Sequence, residues 1–120
     1  MPSVSMGIGG QFGSVRLDMT ELEDLIKTSP GKVSKVVRAT GIEVAGKASR
    51  KAPVGETGYL HNSIHSEMEA EFTADVYVDA EYGIYVEFGT YKMAAQPYLV
   101  PAVEETAAEF EAALAKVIAE

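Results

Sequence analysis

Apolar residues recur at steps of three and four in two long segments, which is the pattern of an amphipathic helix. The first segment spans residues 32–51, and its apolar positions are Val33, Val37, Thr40, Val44 and Ala48. The second spans residues 99–120, with apolar positions Leu99, Val103, Ala107, Phe110, Leu114 and Val117. The patterns predict a central helix and a long C-terminal amphipathic helix. Each needs a partner surface for its apolar face, and glycines at 41 and 46 would let the central helix approach a sheet closely.

Apolar and polar residues alternate instead from residue 64 to residue 78, which predicts two antiparallel strands. The apolar phase of the first strand contains Ile64, Met68, Ala70 and Phe72. Its polar phase contains His65, Glu67, Glu69 and Glu71. A predicted turn at residues 73–75 leads to the second strand, with Val76 and Val78 inward and Tyr77 outward. Residues 15–19 alternate similarly and predict a further short strand.

Shorter signals complete the predicted order of elements. A capping-box pattern at residues 20–23 predicts a short helix through residue 27, and residues 57–58 predict a turn. Asp79 is placed to cap another short helix, which Gly89 ends. That helix is predicted to carry on a single side Tyr82, Tyr85 and Val86. The order β, α, β, β, α, α gives an α+β fold, in which a small antiparallel sheet packs against the central helix and the long C-terminal helix.

The 120 residues have the length of one domain. Residues 1–13 contain four glycines and one proline, so we predict a flexible N-terminal arm over residues 1–14 and a single α+β domain over residues 15–120. The absence of cysteine excludes disulfides and thiolate metal sites. The first residues contain neither a basic region nor an apolar block, so we expect no signal peptide. No later segment has the apolar length of a membrane span.

The net charge of −8 is distributed unevenly along the chain. Residues 1–26 carry −3, residues 27–51 carry +6 and residues 52–120 carry −11. This division suits head-to-tail contact between copies, with a basic face meeting an acidic face. The alternative is two solvated faces without a partner. The candidate subunit interface consists of Lys35, Arg38, Lys47, Arg50, Glu67, Glu69 and Glu71.

Few residues suggest chemistry. His61 and His65 are four apart, but on a strand that spacing separates their Cα atoms by about 13 Å, too far for one metal shell. Glu87 lies between apolar neighbours without an adjacent catalytic partner, so we expect it to bond backbone N–H groups of the loop after Gly89 or a lysine. We predict no catalytic, metal-binding or cofactor-binding residues and no cofactor. Two alternatives stay open: a small hydrolase or nuclease using Glu87 with His61 or His65, and a DNA-binding module using the basic helix 32–51.

Three sequence blocks, KAPVGETGYLHNSI, YGIYVEFGT and QPYLVPAV, occur in this order within residues 33–118. In this order and spacing they resemble the neck, or tail-completion, family of tailed bacteriophages. The resemblance implies that certain motif residues define the fold. They are Pro53, Thr57, Gly58, Leu60, Ser63, Ile64, Tyr82, Tyr85, Val86, Glu87, Phe88, Gly89, Thr90, Pro97, Leu99, Pro101 and Ala102.

The same resemblance implies a non-enzymatic virion protein, assembled in the host bacterial cytoplasm. It would form a homo-oligomeric ring, of six or twelve copies, at the head–tail junction. Its implied partners are the head-closure or connector protein on one side and the tail terminator or tail tube protein on the other. DNA would pass through the lumen, and no membrane is involved. We expect the loop at residues 91–96 or the glycine-rich arm to contact neighbouring rings.

Overall fold

The computed structural model describes residues 3–7, 14–18, 27, 29–53 and 58–119. Four strands and four helices lie in these ranges. The strands are β1 (Ser3–Gly7), β2 (Ser14–Asp18), β3 (Ile64–Ala70) and β4 (Thr73–Val78). The helices are α1 (Pro30–Lys51), α2 (Tyr59–Asn62), α3 (Gly83–Phe88) and α4 (Leu99–Ala119).

The strands form one antiparallel sheet in the order β1-β2-β4-β3. In β4, Ala74, Val76 and Val78 are buried in the core. The alternate positions of β4 face the other side, where Asp75 pairs with Arg16 of β2 and Glu67 of β3 in register. The sheet therefore has an inner face covered by helix and an outer face with a charged row across three strands.

Helix α1 lies against the inner face of the sheet. Its buried residues, Val33, Val37, Gly41, Val44, Ala45 and Ala48, follow the predicted apolar face. Gly41 makes the closest approach, because a Cβ placed there would lie 2.5 Å from Ser66 Oγ and 3.1 Å from the Ala74 Cβ. The predicted contact of a small residue with the sheet is thus present at this glycine.

Helix α4 packs along α1. Leu99, Ala102 and Phe110 supply its buried apolar positions. At the edge of this contact, Lys47 Nζ lies 3.0 Å from Glu109 Oε1, and Lys51 Nζ lies 2.8 Å from Glu105 Oε1. Part of the basic face of α1 is therefore neutralised within the same chain.

The predicted α+β class is confirmed, with the central and C-terminal helices in their expected places. The predicted turn at residues 73–75 is wrong: the chain turns at Glu71 and Phe72, and β4 begins at Thr73. Ala70 is exposed instead of inward, because a register shift between Met68 and Ala70 interrupts the alternation.

Two short helices differ from the prediction. Residues 59–62, expected to lead into the strand, form α2, which begins after Gly58 in the left-handed conformation. Asp79 does not cap α3, which begins after Tyr82 without a side-chain cap. Asp79 instead lies with its Oδ2 3.5 Å from His65 Nδ1.

The N-terminal segment contains a strand that the sequence pattern does not indicate. Ser3–Gly7 pairs with Ser14–Asp18, from Ser3 opposite Asp18 to Gly7 opposite Ser14. The division into an arm and a domain stays a prediction. The capping-box pattern at residues 20–23 and the Thr57 position lie outside the described residues. Within the described part of the chain, no helix combines the length and the apolar character needed to cross a membrane.

Candidate functional site

The chain turns a corner between α3 and α4, and Glu87 is at its centre. The Oε1 atom of Glu87 accepts hydrogen bonds from the backbone N–H groups of Tyr98 at 3.0 Å and Leu99 at 2.7 Å. Its Oε2 atom accepts one from Val100 N–H at 3.3 Å. The next residue, Pro101, has no N–H group. Glu87 therefore accepts the N–H groups of residues 98–100, and Pro101 has none to pair. The negative charge of Glu87 lies at the positive end of the α4 dipole.

Tyr98 connects the start of α4 to the start of α3 within the core. Its side chain is fully buried, and its hydroxyl donates to the carbonyl oxygen of Gly83 at 2.8 Å. Burial raises the pKa of Tyr98 well above its usual value, and the carboxylate of Glu87 adds to this effect. Gly83 is required for the contact, since a Cβ there would lie 2.7 Å from the Tyr98 hydroxyl oxygen.

A tight turn projects from this corner at Thr90–Met93, and hydrogen bonds hold it. The backbones of Thr90 and Met93 bond each other at 2.8 and 3.2 Å, and Thr90 Oγ1 accepts from Lys92 N–H and Met93 N–H. Gly89 precedes the turn with φ of 76°, and a Cβ there would lie 2.7 Å from Ala95 N. At its tip, Tyr91 is 94% exposed.

Several aromatic side chains lie exposed around the corner. The Tyr82 hydroxyl accepts the Leu60 N–H at 3.0 Å, and the Tyr59 and Tyr82 rings lie 6.3 Å apart. Tyr85 is 57% exposed and Phe88 60%. The prediction that Tyr82, Tyr85 and Val86 share one side is wrong, because Val86 is buried while both tyrosines are exposed. Consecutive helical residues such as 85 and 86 point about 100° apart.

A polar cluster crosses the outer sheet face. Arg16 donates from Nε and one terminal nitrogen to the two oxygens of Asp75, at 2.8 and 3.0 Å. The Tyr77 hydroxyl bonds Glu69 and Asp75. The Arg16 guanidinium holds the pKa of buried Asp75 below its usual value, although burial alone would raise it. The hydrogen bond to Glu69 raises the pKa of Tyr77 well above its usual range. This cluster fastens β2 to β4 across the sheet.

The two histidines lie on different elements and do not converge with Glu87. His61 is on α2, not on a strand as predicted, and its Nδ1 lies 2.6 Å from the Ser49 carbonyl oxygen. His65 is on β3, where its ring stacks on Tyr77 with centroids 5.5 Å apart. Glu87 has its oxygens engaged at the start of α4. Among the described residues, no group of three or more His, Asp or Glu side chains is arranged to hold a metal ion.

The residues of the candidate subunit interface fall on two faces of the domain. Lys35, Arg38 and Arg50 are exposed on α1, whereas Lys47 is largely covered and engaged with Glu109. On the other side of the sheet, Glu67 and Glu71 are exposed, and so is Glu69, which bonds Tyr77. The structure thus places a basic patch and an acidic patch apart within one chain and removes Lys47 from the basic one.

Most of the other motif residues are parts of the corner and its neighbours. Leu60, Ser63, Leu99 and Ala102 are buried, Ile64, Pro53 and Pro101 are half-buried, and Phe88, Thr90 and Pro97 are exposed. The roles of Tyr98 and of the Arg16–Asp75 pair were not predicted from the sequence. The two prolines that flank Tyr98 signal a rigid position, and Asp75 is a charged residue among the apolar residues of β4. In the sequence, only these two features point to the roles of Tyr98 and Asp75.

A family model described as "Bacteriophage HK97-gp10, putative tail-component" matches residues 19–89, more than half of the chain. The matched range contains α1, α2, β3, β4 and α3, and it ends at Gly89. Comparison with curated proteins found no match. Comparison with solved structures also found none.

Proposed function

Because the chain belongs to the HK97 gp10-like family of bacteriophage tail components, we propose that it forms a homo-oligomeric ring at the head–tail junction of the virion. A tail component is part of the virion. The ring would join the head-closure or connector protein to the tail terminator or tail tube protein, and DNA would pass through its lumen. In this proposal the protein is a structural subunit and performs no reaction.

One observation supports the ring in particular: oppositely charged exposed patches lie on two sides of the same small domain. Lys35 and Arg38 are exposed on the helix side, and Glu67 and Glu71 are exposed on the outer sheet face. A surface that is complementary to another surface of the same chain makes head-to-tail contacts, and such contacts give a ring when the rotation closes. Exposed charge pairs across this contact would hold the copies in one orientation and speed their association, and salt would weaken them.

The engaged side chains argue for a structural role over the hydrolase or nuclease alternative. All three hydrogen bonds of Glu87 go to the backbone at the start of α4, so this carboxylate is committed to holding the fold. The DNA-binding alternative loses part of its charge, because Lys47 and Lys51 pair with Glu109 and Glu105. The other basic residues of this helix are too few for the phosphate contacts of a strong duplex site: Lys32, Lys35, Arg38 and Arg50.

The test is a charge swap in the full chain. Lys35→Glu with Arg38→Glu should reduce the oligomer mass, measured by analytical ultracentrifugation, because like charges then meet across the contact. Adding Glu67→Lys and Glu71→Lys to the same chain should restore the mass. The matched control is Lys116→Glu, an exposed lysine near the end of α4, which should leave the mass unchanged. Electron microscopy of the wild-type protein should show closed rings, and a protein that stays monomeric alone and with its virion partners would refute the proposal.

A further inference from the structure

The turn at Thr90–Met93 presents a rigid aromatic tip. Its two backbone hydrogen bonds and the two bonds to Thr90 Oγ1 fix the turn, and Gln96 N–H bonds Val86 O at 2.8 Å behind it. Tyr91 is almost fully exposed on this fixed base, and Lys92 Nζ lies 5.5 Å from its ring centroid. An ordered, exposed tyrosine loses little conformational entropy when it enters a partner's pocket, and tyrosine is among the residues that most often dominate interface energy.

A groove lies between α1 and α4, with a volume of about 290 Å³. Its apolar lining is formed by Val36, Ala39, Phe110 and Ala113. Ile42, one helical turn after Ala39, is 61% exposed, so apolar surface continues past the groove. Drug-sized ligand pockets begin at about 300 Å³, so this groove is suited to one large side chain.

Five polar side chains line the groove; four of them can accept hydrogen bonds, and the fifth, Lys35, can only donate. Thr40 and Thr106 line it, and each donates its hydroxyl proton to its own helix, to Val36 O and Ala102 O at 2.7 Å. Their oxygens therefore retain acceptor capacity only. Glu43 and Glu109 also line the groove and share Lys47, and Lys35 completes the lining. A tyrosine hydroxyl and a neighbouring ammonium group are donors that match these acceptors.

We propose that the Tyr91 tip of one copy of this chain inserts into the α1–α4 groove of the next copy. The occupant must come from another molecule, because Tyr91 is 94% exposed in its own chain. In this contact the Tyr91 ring packs on Ala39 and Phe110, its hydroxyl donates to a threonine or carboxylate oxygen, and Lys92 lies near Glu43 and Glu109. Tip and groove are different surfaces, so the contact is head-to-tail and can close a ring. The inference rests on the proposed self-assembly and identifies its anchor.

Cysteine cross-linking in the full chain tests this contact directly, because the sequence contains no cysteine. A chain with both Lys92→Cys and Glu43→Cys keeps Tyr91 and should give a ladder of covalent oligomers when it is oxidised with diamide. The matched control is Lys92→Cys with Glu104→Cys, since Glu104 is exposed on α4 and does not line the groove. This control should stop at dimers joined through position 92. If the two chains give the same ladder, or if neither exceeds dimers, the contact is refuted.

The strength of self-association, measured at equilibrium, tests the Tyr91 contact separately from the ring proposal. Tyr91→Ala should weaken self-association about thirtyfold, the size of a typical hot-spot loss, whereas Tyr91→Phe should weaken it less. Both variants should unfold close to the wild-type temperature, since Tyr91 is 94% exposed in its own chain. If Tyr91→Ala assembles like the wild-type protein, the anchor is wrong and the ring proposal stands. If the wild-type protein does not self-associate at all, both are wrong.

Discussion

A buried carboxylate needs its charge compensated, and Glu87 receives this compensation from three backbone N–H groups at the start of α4. The side chain that caps a helix usually comes from the residue just before it. Here the cap comes from α3, eleven residues before Tyr98. The same carboxylate therefore ends the loop, starts the helix and fixes the angle between α3 and α4.

We expect Glu87→Gln to destabilise the fold by about 1–3 kcal/mol, because the amide nitrogen cannot accept the N–H groups that a carboxylate oxygen accepts. Urea unfolding followed by circular dichroism measures this change. Glu111→Gln, an exposed position on α4, should change the free energy of unfolding by less than about 0.5 kcal/mol. Equal stability of the Glu87→Gln protein and the wild-type protein would show that the cap is not needed.

Part of this site could be predicted from the sequence. The apolar neighbours of Glu87 predict that it bonds backbone N–H groups of the loop after Gly89 or a lysine. In the structure it bonds backbone groups, those of Tyr98 at the end of this loop and of Leu99 and Val100 in α4. Its exact partners could not be predicted, because they depend on how the loop after Gly89 returns to α3. The fixed pairing of Tyr98 with Gly83 is missing from the prediction for the same reason.

Helices α1 and α4 and strands β3 and β4 could be predicted because each repeats one period over many residues. The elements that the pattern missed or misplaced are short. Strand β1 stands at the end of the strand order beside β2, and α2 is a single turn that starts after a left-handed glycine. Such elements depend on their neighbours, and no periodic signal is long enough to reveal them.

Two glycines in the middle of α1, Gly41 and Gly46, should respond in opposite ways to the same substitution. Gly41→Ala places a methyl group against Ser66 and Ala74, so we expect a loss of about 1–3 kcal/mol from overpacking. Gly46→Ala meets only the end of Arg50 at 3.4 Å and should gain about 0.4–1 kcal/mol from helix propensity. Thermal unfolding of both variants beside the wild-type protein measures the two effects. Equal effects would mean that α1 does not approach the sheet at Gly41.

The contact of β2 with β4 should make stability depend on pH through Asp75. The Arg16 guanidinium lowers the pKa of Asp75 in the folded chain. A lowered pKa contributes stability above the ordinary value near 4, and this contribution is lost as the pH falls through the folded value. We therefore expect the stability of Asp75→Asn, from urea unfolding at several pH values, to fall less than that of the wild-type protein below about pH 4.

Arg16→Gln removes the other partner of the Arg16–Asp75 pair. It should flatten the acid dependence in a similar way, because the guanidinium is the first cause of the lowered pKa. Combining it with Asp75→Asn should flatten the dependence no further than Asp75→Asn alone. An unchanged acid slope in Asp75→Asn would show that this pair does not set the pH dependence.

Across the whole molecule, charge serves two purposes that salt can separate. Lys51–Glu105 and Lys47–Glu109 join α1 to α4 within the chain, and in the proposed ring the exposed patches on α1 and the outer sheet face would contact other copies. Apolar packing through Leu99, Ala102 and Phe110 supports the pairs inside the chain. Exposed ion pairs contribute little to the stability of a fold, but charge across a growing interface controls association.

Raising the salt concentration should therefore dissociate the proposed ring before it unfolds the chain. The screening length falls from about 10 Å at ~0.1 M to about 3 Å at ~1 M, so we expect the oligomer mass to fall toward that of the monomer. The unfolding temperature of the dissociated chain should shift by less than about 4 °C. Light scattering measures the oligomer mass, and calorimetry on the same samples measures the unfolding temperature.

The Lys35→Glu, Arg38→Glu chain should show a weaker salt effect on mass, because its attractive contact is already lost. A ring whose mass is constant across this range would show that apolar contacts alone hold the copies together.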